Sequence, residues 1–442
     1  VDNWLNVKVP GLPPLPVEPR LGGRALPRAV SLYVCGITPY DATHLGHAQT
    51  YLTFDYVVRL VRASGRTLRY VQNVTDVDDP LLERATEIGV DWRDLAREEI
   101  ALFFADMEAL RVVPPDHYVG VVESIPLVVD AVTRLLAVGA AYPVRTPETP
   151  GGAGAGDVYG SVAADALFWE ELPIPARDAL GVFAERGGDP ARPGKRAALD
   201  PLLWRAERAT EPAWDGGPLG AGRPGWHIEC AAIAEHWLGG VPTITGGGSD
   251  LSFPHHHMSA SHLRQLGHPE PGMTMHVGMV GLDGHKMSKS LGNLVLVSRL
   301  RAAGADPRAI RLALAAHHYA AEWEWDDGQL VAAQRRLGHW LAAARIAGSS
   351  PRIPGGAPGS SAAGGLATLV ATALAADLDT PAALDAVDRW ADAVLARPEG
   401  DPGTVDPSAV DAVDALLGID LRADPPAPDT RLANQVLSLP RR

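Results

Sequence analysis

The stretch AVSLYVCGITPYDATHLGHAQTYLTFDYVVRLVRASGRTLRYVQNVT, residues 29–75, decides the fold. Its first seven residues, Ala29 to Cys35, form an apolar run of strand length, and Gly36 with Pro39 breaks it before a helix opens near Thr43. Phe54, Val57, Val58 and Val61 recur at three- and four-residue spacing, which predicts a helix with one apolar face, ended by Gly65. A second strand is expected from Leu68 to Val74. Strand, helix and strand in that order predict a βαβ unit and therefore a parallel sheet.

Outward from this unit, an amphipathic helix is expected over about Leu95 to Leu110. Between Pro114 and Gly222 the pattern changes to one helix, Ile125 to Val138, among Gly-rich loops such as Gly151 to Asp157, which reads as an insertion splitting the sheet domain. Val241 to Thr245 and Met273 to Val280 are expected to resume the parallel sheet. Asp306 and Pro307 read as an N-cap with Pro at N1, opening a helix through Tyr319. Beyond Trp325 the expectation is helices over Gln329–Ile346, Leu366–Ala376, Pro381–Leu395 and Val410–Leu417, with a Pro/Gly/Ser linker from Ser349 to Gly365 and a Pro-rich tail. The domains expected are therefore 1–113, an insertion 114–222, a second half of the sheet domain 223–324, and a helical region 325–442.

Composition bounds the function. A chain of 442 residues exceeds what one core usually organises. No apolar run approaches the roughly 18 residues that span a bilayer, and no signal peptide is legible, so a cytoplasmic protein without a membrane partner is expected. Two cysteines, Cys35 and Cys230, suit a reducing compartment. A net charge of -14 without a basic segment disfavours tight binding to a nucleic acid, whose affinity comes mainly from cations on phosphates.

Two motifs carry chemistry. In Cys35 to His47, a turn after a strand places His44 and His47 on the first turn of a helix, beside the positive end of its dipole, where phosphate is favoured. Gly46 allows a close backbone approach. Alone, this HxGH match reads equally as two surface histidines. In Lys286-Met-Ser-Lys289-Ser290, flanked by Gly284 and Gly292, two lysines can meet charge developing on a pyrophosphate leaving group. Alone, that pair reads as a solvated loop. Together, some 240 residues apart and each after an expected strand, they point to nucleotide binding.

The pair resembles the HIGH and KMSKS signatures of class I aminoacyl-tRNA synthetases. The resemblance implies an α/β fold: a class I synthetase Rossmann-type parallel sheet, an inserted mixed subdomain and a C-terminal helical bundle. A third constellation narrows it to the cysteinyl type: Cys35, then Gly225-Trp226-His227-Ile228-Glu229-Cys230, then Gly246-Gly-Gly-Ser-Asp250-Leu-Ser-Phe-Pro-His255-His256-His257. Asn73-Val74-Thr75-Asp76, Trp204 and Asp377-Leu-Asp-Thr380-Pro extend the likeness. It departs where a glutamate would follow the metal-binding histidine by four residues, since Ser259 stands there, and no full anticodon-binding domain follows the helical region. Both departures favour the sister family, the mycothiol-biosynthesis ligases that join cysteine to glucosaminyl-inositol. The stretch CGITPYDATHLGH, the segment Glu185-Arg-Gly-Gly-Asp189-Pro190-Ala-Arg-Pro-Gly-Lys195, and Arg223-Pro-Gly-Trp226-His-Ile-Glu-Cys230 are similar to that family. His257 replaces its usual glutamate.

The resemblance implies that Cys35, Cys230 and His255 hold one Zn²⁺, whose fourth position takes the thiolate of L-cysteine, while the cysteine carboxylate attacks ATP bound with Mg²⁺. A closed zinc site or a buried cysteine pair is the competing reading. His44, His47, Lys286 and Lys289 would stabilise the charge, and His47 is the candidate base for the second step. Cys35, Gly36, Ile37, Thr38, Thr50, Asn73, Val74, Thr75, Trp226, Gly248, Ser249, Asp250 and Leu282 would line the adenylate pocket. Asp250 is the candidate for the substrate ammonium, or else a turn cap. Glucosaminyl-inositol would be the acceptor and the protein a monomer. A cysteinyl-tRNA synthetase is the alternative, and a catalytically inactive cysteine-binding or zinc-binding homologue a third reading. The segment Glu185–Pro190 reads either as a structural loop or as an acceptor contact.

Overall fold

A computed structural model describes residues 9–40, 42–145, 156–268, 272–287, 292–349, 362–398 and 408–424. In chain order the elements begin with a short hairpin, β1 (Arg20–Leu21) and β2 (Arg24–Ala25), then β3 (Ala29–Val34), α1 (Leu45–Ala63), β4 (Thr67–Val74), α2 (Asp79–Ile88), α3 (Trp92–Ala109), β5 (His117–Gly120) and α4 (Val121–Ala137). Next come β6 (Ala141–Arg145), β7 (Gly156–Gly160), α5 (Ala176–Glu185), β8 (Leu202–Ala206), β9 (Gly222–Pro224), α6 (Trp226–Leu238), β10 (Ile244–Gly248), α7 (His257–Gln265) and β11 (Met273–Val277). The rest are β12 (Val280–Leu282), β13 (His285–Lys286), α8 (Val297–Ala302), α9 (Pro307–Ala315), β14 (Trp323–Glu324), α10 (Asp327–Ser349), α11 (Ala362–Ala375), α12 (Thr380–Leu395) and α13 (Ser408–Leu417).

The central sheet is parallel, in the order β11-β10-β3-β4-β5. Its middle strands are buried on both faces, which is why β3 reads as a nearly continuous apolar run rather than an alternating one, while β4 buries Gln72 and Asn73 among its apolar residues. The sheet departs from expectation in two places. The strand expected at Val241–Thr245 runs instead over Ile244–Gly248, because its three glycines carry no apolar signal although their backbone pairs with β3 and β11. The run Met273–Val280 breaks after Val277: β12 leaves the parallel sheet and pairs with β13 and β14. Helix α9 opens at Asp306, whose side chain accepts from the Arg308 amide as expected, but stops at Ala315, not Tyr319.

Strands β6 to β9 form an antiparallel sheet of their own, and β9 runs two residues beyond 222. Its core holds Val158, Leu203 and Trp204 against Val128 and Val132 of α4 and Ile228 of α6. Trp204 therefore lies in this core, its indole N–H donating to the Gly220 carbonyl at 3.2 Å.

Helices α10 to α13 share one apolar core with α1 and the parallel sheet, including Leu52, Phe54 and Leu60 with Ile310, Val370, Leu384 and Leu416. Inside that core lies an ionic knot that the sequence did not suggest. Asp55 and Arg59 of α1 and Arg311 of α9 are all buried. Arg59 bonds Asp55 at 2.8 Å and the carbonyls of Arg111 and Asp414 at 2.8 Å each, while Arg311 bonds Asp55 and the carbonyls of Leu110 and Leu417. Burial raises the Asp55 carboxyl, but Arg311 and Arg59 reverse that and hold it below its ordinary value. The knot ties the end of α13 to the helix that begins at His44.

Candidate active site

Cys35 and the Ser249–Asp250 turn stand just beyond the carboxyl ends of β3 and β10 of the parallel sheet, the usual place for ligands in open α/β sheets. Cys35 follows β3, and its loop is braced from β4. The Asn73 side-chain oxygen accepts from the Gly36 amide at 2.9 Å and from the Tyr33 hydroxyl at 3.1 Å, while Asn73 Nδ2 donates to Thr75 at 3.2 Å. Thr75 N donates to the Ile37 carbonyl at 3.0 Å. Gly36 is obligatory, because a Cβ there would lie 1.6 Å from the Asn73 carbonyl oxygen. Asn73, Val74 and Thr75 are thus buried braces of the Cys35–Thr38 turn.

The two cysteines, 195 residues apart, meet with their sulfurs 3.9 Å from one another, and His255 Nε2 lies 3.2 Å from Cys230 Sγ. Both thiols are free and buried. Cys35, Cys230 and His255 form a group able to hold a metal ion. The donor set fits: a tetrahedral ion with metal–sulfur bonds of about 2.3 Å separates two sulfurs by about 3.8 Å. Burial, then neighbouring imidazoles, push the His255 ring well below its ordinary value, so it is neutral and available as a ligand. Burial likewise lowers His227 and His256 to about 3.

Around these three groups the structure places residues whose roles the sequence left open. His256 turns its Nε2 to Cys35 Sγ at 3.3 Å and its Nδ1 to His276 at 2.9 Å. His227 Nδ1 stands 3.2 Å from His255 Nδ1, and the Trp226 ring stacks on His255 at 4.4 Å. Ser259 is spent elsewhere, its hydroxyl donating to the His227 carbonyl at 2.9 Å. His257 points into the insertion, against the rings of Phe168 and Phe253 at 4.6 and 5.9 Å, so the histidine in the usual glutamate position does not join the metal group. Glu229, one residue before Cys230, is fully enclosed; burial and the nearby Asp78, Cys230 and Asp76 raise its carboxyl well above the ordinary value.

The first helix brings the histidine pair into place. His44 is the N-cap of α1, its Nδ1 accepting from the Gly46 amide at 3.0 Å, and its ring stacks on His47 at 3.9 Å. Gly46 is required by this arrangement, since a Cβ there would meet the His44 ring at 2.8 Å. Thr50, one turn on, donates its hydroxyl to the Gly46 carbonyl at 3.1 Å. The segment after the lysine motif docks on this turn: Leu45 N donates to the Val295 carbonyl at 2.9 Å and Val297 N to the Thr43 carbonyl at 3.1 Å. The two signatures, far apart in sequence, thus share one backbone junction.

Lys286 lies on β13. Asp283 and Gly284, with φ of 56° and 78°, make the tight turn from Leu282 of β12 into it. The Lys286 ammonium reaches Asp250 at 3.0 Å, so the candidate ammonium site and a candidate catalytic lysine face one another. Asp250, with Gly248 and Ser249, sits in the turn that follows β10. Lys289 lies outside the described residues.

A five-stranded parallel sheet, a histidine pair at the start of its first helix and the segment after the lysine motif docked on that turn define a class I synthetase fold. Solved structures agree: Mycobacterium tuberculosis methionyl-tRNA synthetase in complex with methionyl-adenylate superposes with a TM-score of 0.59 at 16% identity, covering 93% of both chains. Thermus thermophilus arginyl-tRNA synthetase gives 0.51 at 14% identity over 93% of this chain and 81% of its own. Residues 24–335 match the model of the tRNA synthetases class I (C) catalytic domain. Among curated proteins, the ligase named L-cysteine:1D-myo-inositol 2-amino-2-deoxy-alpha-D-glucopyranoside ligase from Thermomonospora curvata is 52% identical over 95% of this chain and 100% of its own. Its namesakes from Xylanimonas cellulosilytica and Cellulomonas flavigena are 55% and 53% identical over 88% and 94% of this chain and 90% and 99% of theirs. The chain belongs to this ligase family. No helix among the described residues is long and apolar enough to cross a membrane.

Proposed function

We propose that this protein joins the carboxyl group of L-cysteine to the amine of glucosaminyl-inositol, consuming ATP and releasing pyrophosphate and AMP. The observation that carries the reading is the meeting of Cys35, Cys230 and His255 at the end of β3, on the same loop that leads to His44 and His47. Cysteine selection and nucleotide chemistry thereby share one turn of backbone. The chain's 52% to 55% identity to ligases of that name supports the choice of acceptor.

In the first step a cysteine carboxylate oxygen bonds the α-phosphorus of ATP while the bond to the β-phosphate oxygen breaks. His44 and His47, at the positive end of α1, and Lys286 with Lys289 stabilise the charge, together with the Mg²⁺ that accompanies ATP. Asp250 takes the substrate ammonium, which requires Lys286 to leave it and so frees that lysine for the phosphates. Cys35, Cys230 and His255 would hold zinc, which when bound supplies a position for the cysteine thiolate and so selects against serine. Trp226, stacked on His255, closes the pocket beside the substrate. In the second step the sugar amine bonds the acyl carbon, AMP leaves, and His47 receives the amine proton. We place the reaction in the cytoplasm, in a monomer without a nucleic-acid partner, consistent with the net charge of -14.

The test is AMP formation from ATP and cysteine by the purified protein, with glucosaminyl-inositol or tRNA as acceptor. AMP release that depends on the sugar, with no charging of tRNA, is expected. Charging of tRNA would make the protein a cysteinyl-tRNA synthetase, and silence with both would refute the assignment.

A further inference from the structure

One side chain between residues 114 and 222 bonds the backbone of the turn between Asp250 and His255. Arg186, at the end of α5, donates from a single guanidinium nitrogen to the carbonyl oxygens of both Asp250 and Phe253. Those carbonyls belong to the turn that carries Asp250 at one end and His255 at the other. That turn cannot hold itself as a regular helix, because Phe253 has extended backbone, φ -136° and ψ 135°, which breaks the ladder of amide donors. Arg186 supplies a donor where the interrupted helix lacks one.

The segment around Arg186 is itself fastened. Asp189 accepts from the Tyr159 hydroxyl and from Lys195 at 2.9 Å, and Lys195 also donates to the Ala198 carbonyl at 2.9 Å. Phe183 of α5 packs in one cluster with Phe253 and Met258, on either side of the histidines. Gly188 presses so closely on Phe183 that a Cβ would come within 2.6 Å of the ring. The loop is a rigid strut, and its contacts with the pocket go to backbone oxygens.

We infer that Arg186 is a positioning residue for cysteine activation: it fixes the spacing between the ammonium partner Asp250 and the metal ligand His255, and so sets cysteine affinity and metal retention together. This rests on the reading of those two residues given above. A groove-side acceptor contact would leave both quantities unchanged.

Arg186→Met keeps the aliphatic stem and removes the donors, whereas Arg186→Lys retains a donor that can bridge two carbonyls. The readouts are KM for cysteine and for ATP in cysteine-dependent ATP–pyrophosphate exchange, zinc release to a chelator, and the d–d absorption bands of the Co²⁺-loaded protein. Arg186→Met is expected to raise the cysteine KM and speed zinc release by about ten-fold or more, the usual cost of losing an outer partner of a metal ligand. The Co²⁺ bands shift, the ATP KM stays within about two-fold, and Arg186→Lys recovers most of the loss. Should Arg186→Met not fold, Gly188→Ala, which forces the strut off Phe183, is expected to give the same pattern in weaker form. Unchanged cysteine KM, zinc release and Co²⁺ bands in a folded variant overturn the proposal, as does a rise confined to the KM for glucosaminyl-inositol. If the wild-type protein activates no cysteine, the proposed function fails, while the zinc and Co²⁺ readouts still decide the role of Arg186.

Discussion

Substituting Gly46 by alanine separates what the first turn of α1 does for folding from what it does for catalysis. The added methyl would stand 2.8 Å from Cε1 and 3.0 Å from Nδ1 of His44. The helix cannot retreat, because Leu45 and Ala48 on either side are fully buried and Leu45 N is bonded to Val295. His44 must therefore rotate, giving up its bond from the Gly46 amide and its stack on His47. Losing the cap costs about 1 kcal/mol, while alanine in place of glycine in a helix returns up to about 1 kcal/mol. The net change in stability is close to zero, and the melting temperature should move by less than about 4 °C. Catalysis should suffer far more, since withdrawing one group that stabilises developing phosphate charge costs about 10²–10³ in rate. Cysteine-dependent ATP–pyrophosphate exchange, measured beside a thermal melt, reads both. Exchange within about ten-fold of wild type would remove His44 from the chemistry. A collapse of the melting temperature would show that the glycine serves the fold instead.

Asp55→Ala leaves Arg59 and Arg311 facing each other in a dry core and should cost about 3–5 kcal/mol, read as a fall in the urea midpoint; a loss under 1 kcal/mol would refute the role of the knot. Asp106 is fully buried, and burial outweighs its pairing with Arg301 at 2.6 Å, raising its carboxyl to about 7. Because the folded state then holds its proton more tightly than the unfolded one, stability falls as pH rises from about 4 to 7, by up to about 4 kcal/mol. Asp106→Asn should flatten that slope between pH 5 and 7.5, and equal slopes in both proteins would count against it. Asp250→Asn should raise the cysteine KM by about ten-fold or more with little change in melting temperature, since its half-exposed pair with Lys286 adds little stability. An unchanged KM would move the ammonium site elsewhere.

Local pattern made β3, α1 and β4 legible: an apolar run, a turn signal and a 3.6-residue period are properties of contiguous residues. Where the signal is not carried by side chains the reading slipped. The glycines of β10 pair through their backbones alone, and Val280 belongs to a sheet that no local period distinguishes from the first. The candidate metal group Cys35, Cys230 and His255 is legible through family likeness rather than spacing. The histidines that contact it, His227 and His256, stand in the same motifs without a role that local pattern assigns, and His276, which ends a chain of contacts to Cys35, carries no local signal.

What the sequence by itself determined was the kind of chemistry to expect: a candidate nucleotide site at the first helix, a thiol and imidazole set, and a net charge of -14. Only the tertiary structure decided how those parts are held. It turned His257 away into the insertion, spent Ser259 on a backbone carbonyl, moved Lys286 onto a strand beside Asp250, and tied α13 to α1 through buried arginines. The physical reason is the range of the interactions. Propensity and periodicity act within a few residues, whereas a buried guanidinium is satisfied by whichever carbonyls the packed fold brings to it, and for Arg311 and Arg186 those lie up to 201 residues away along the chain.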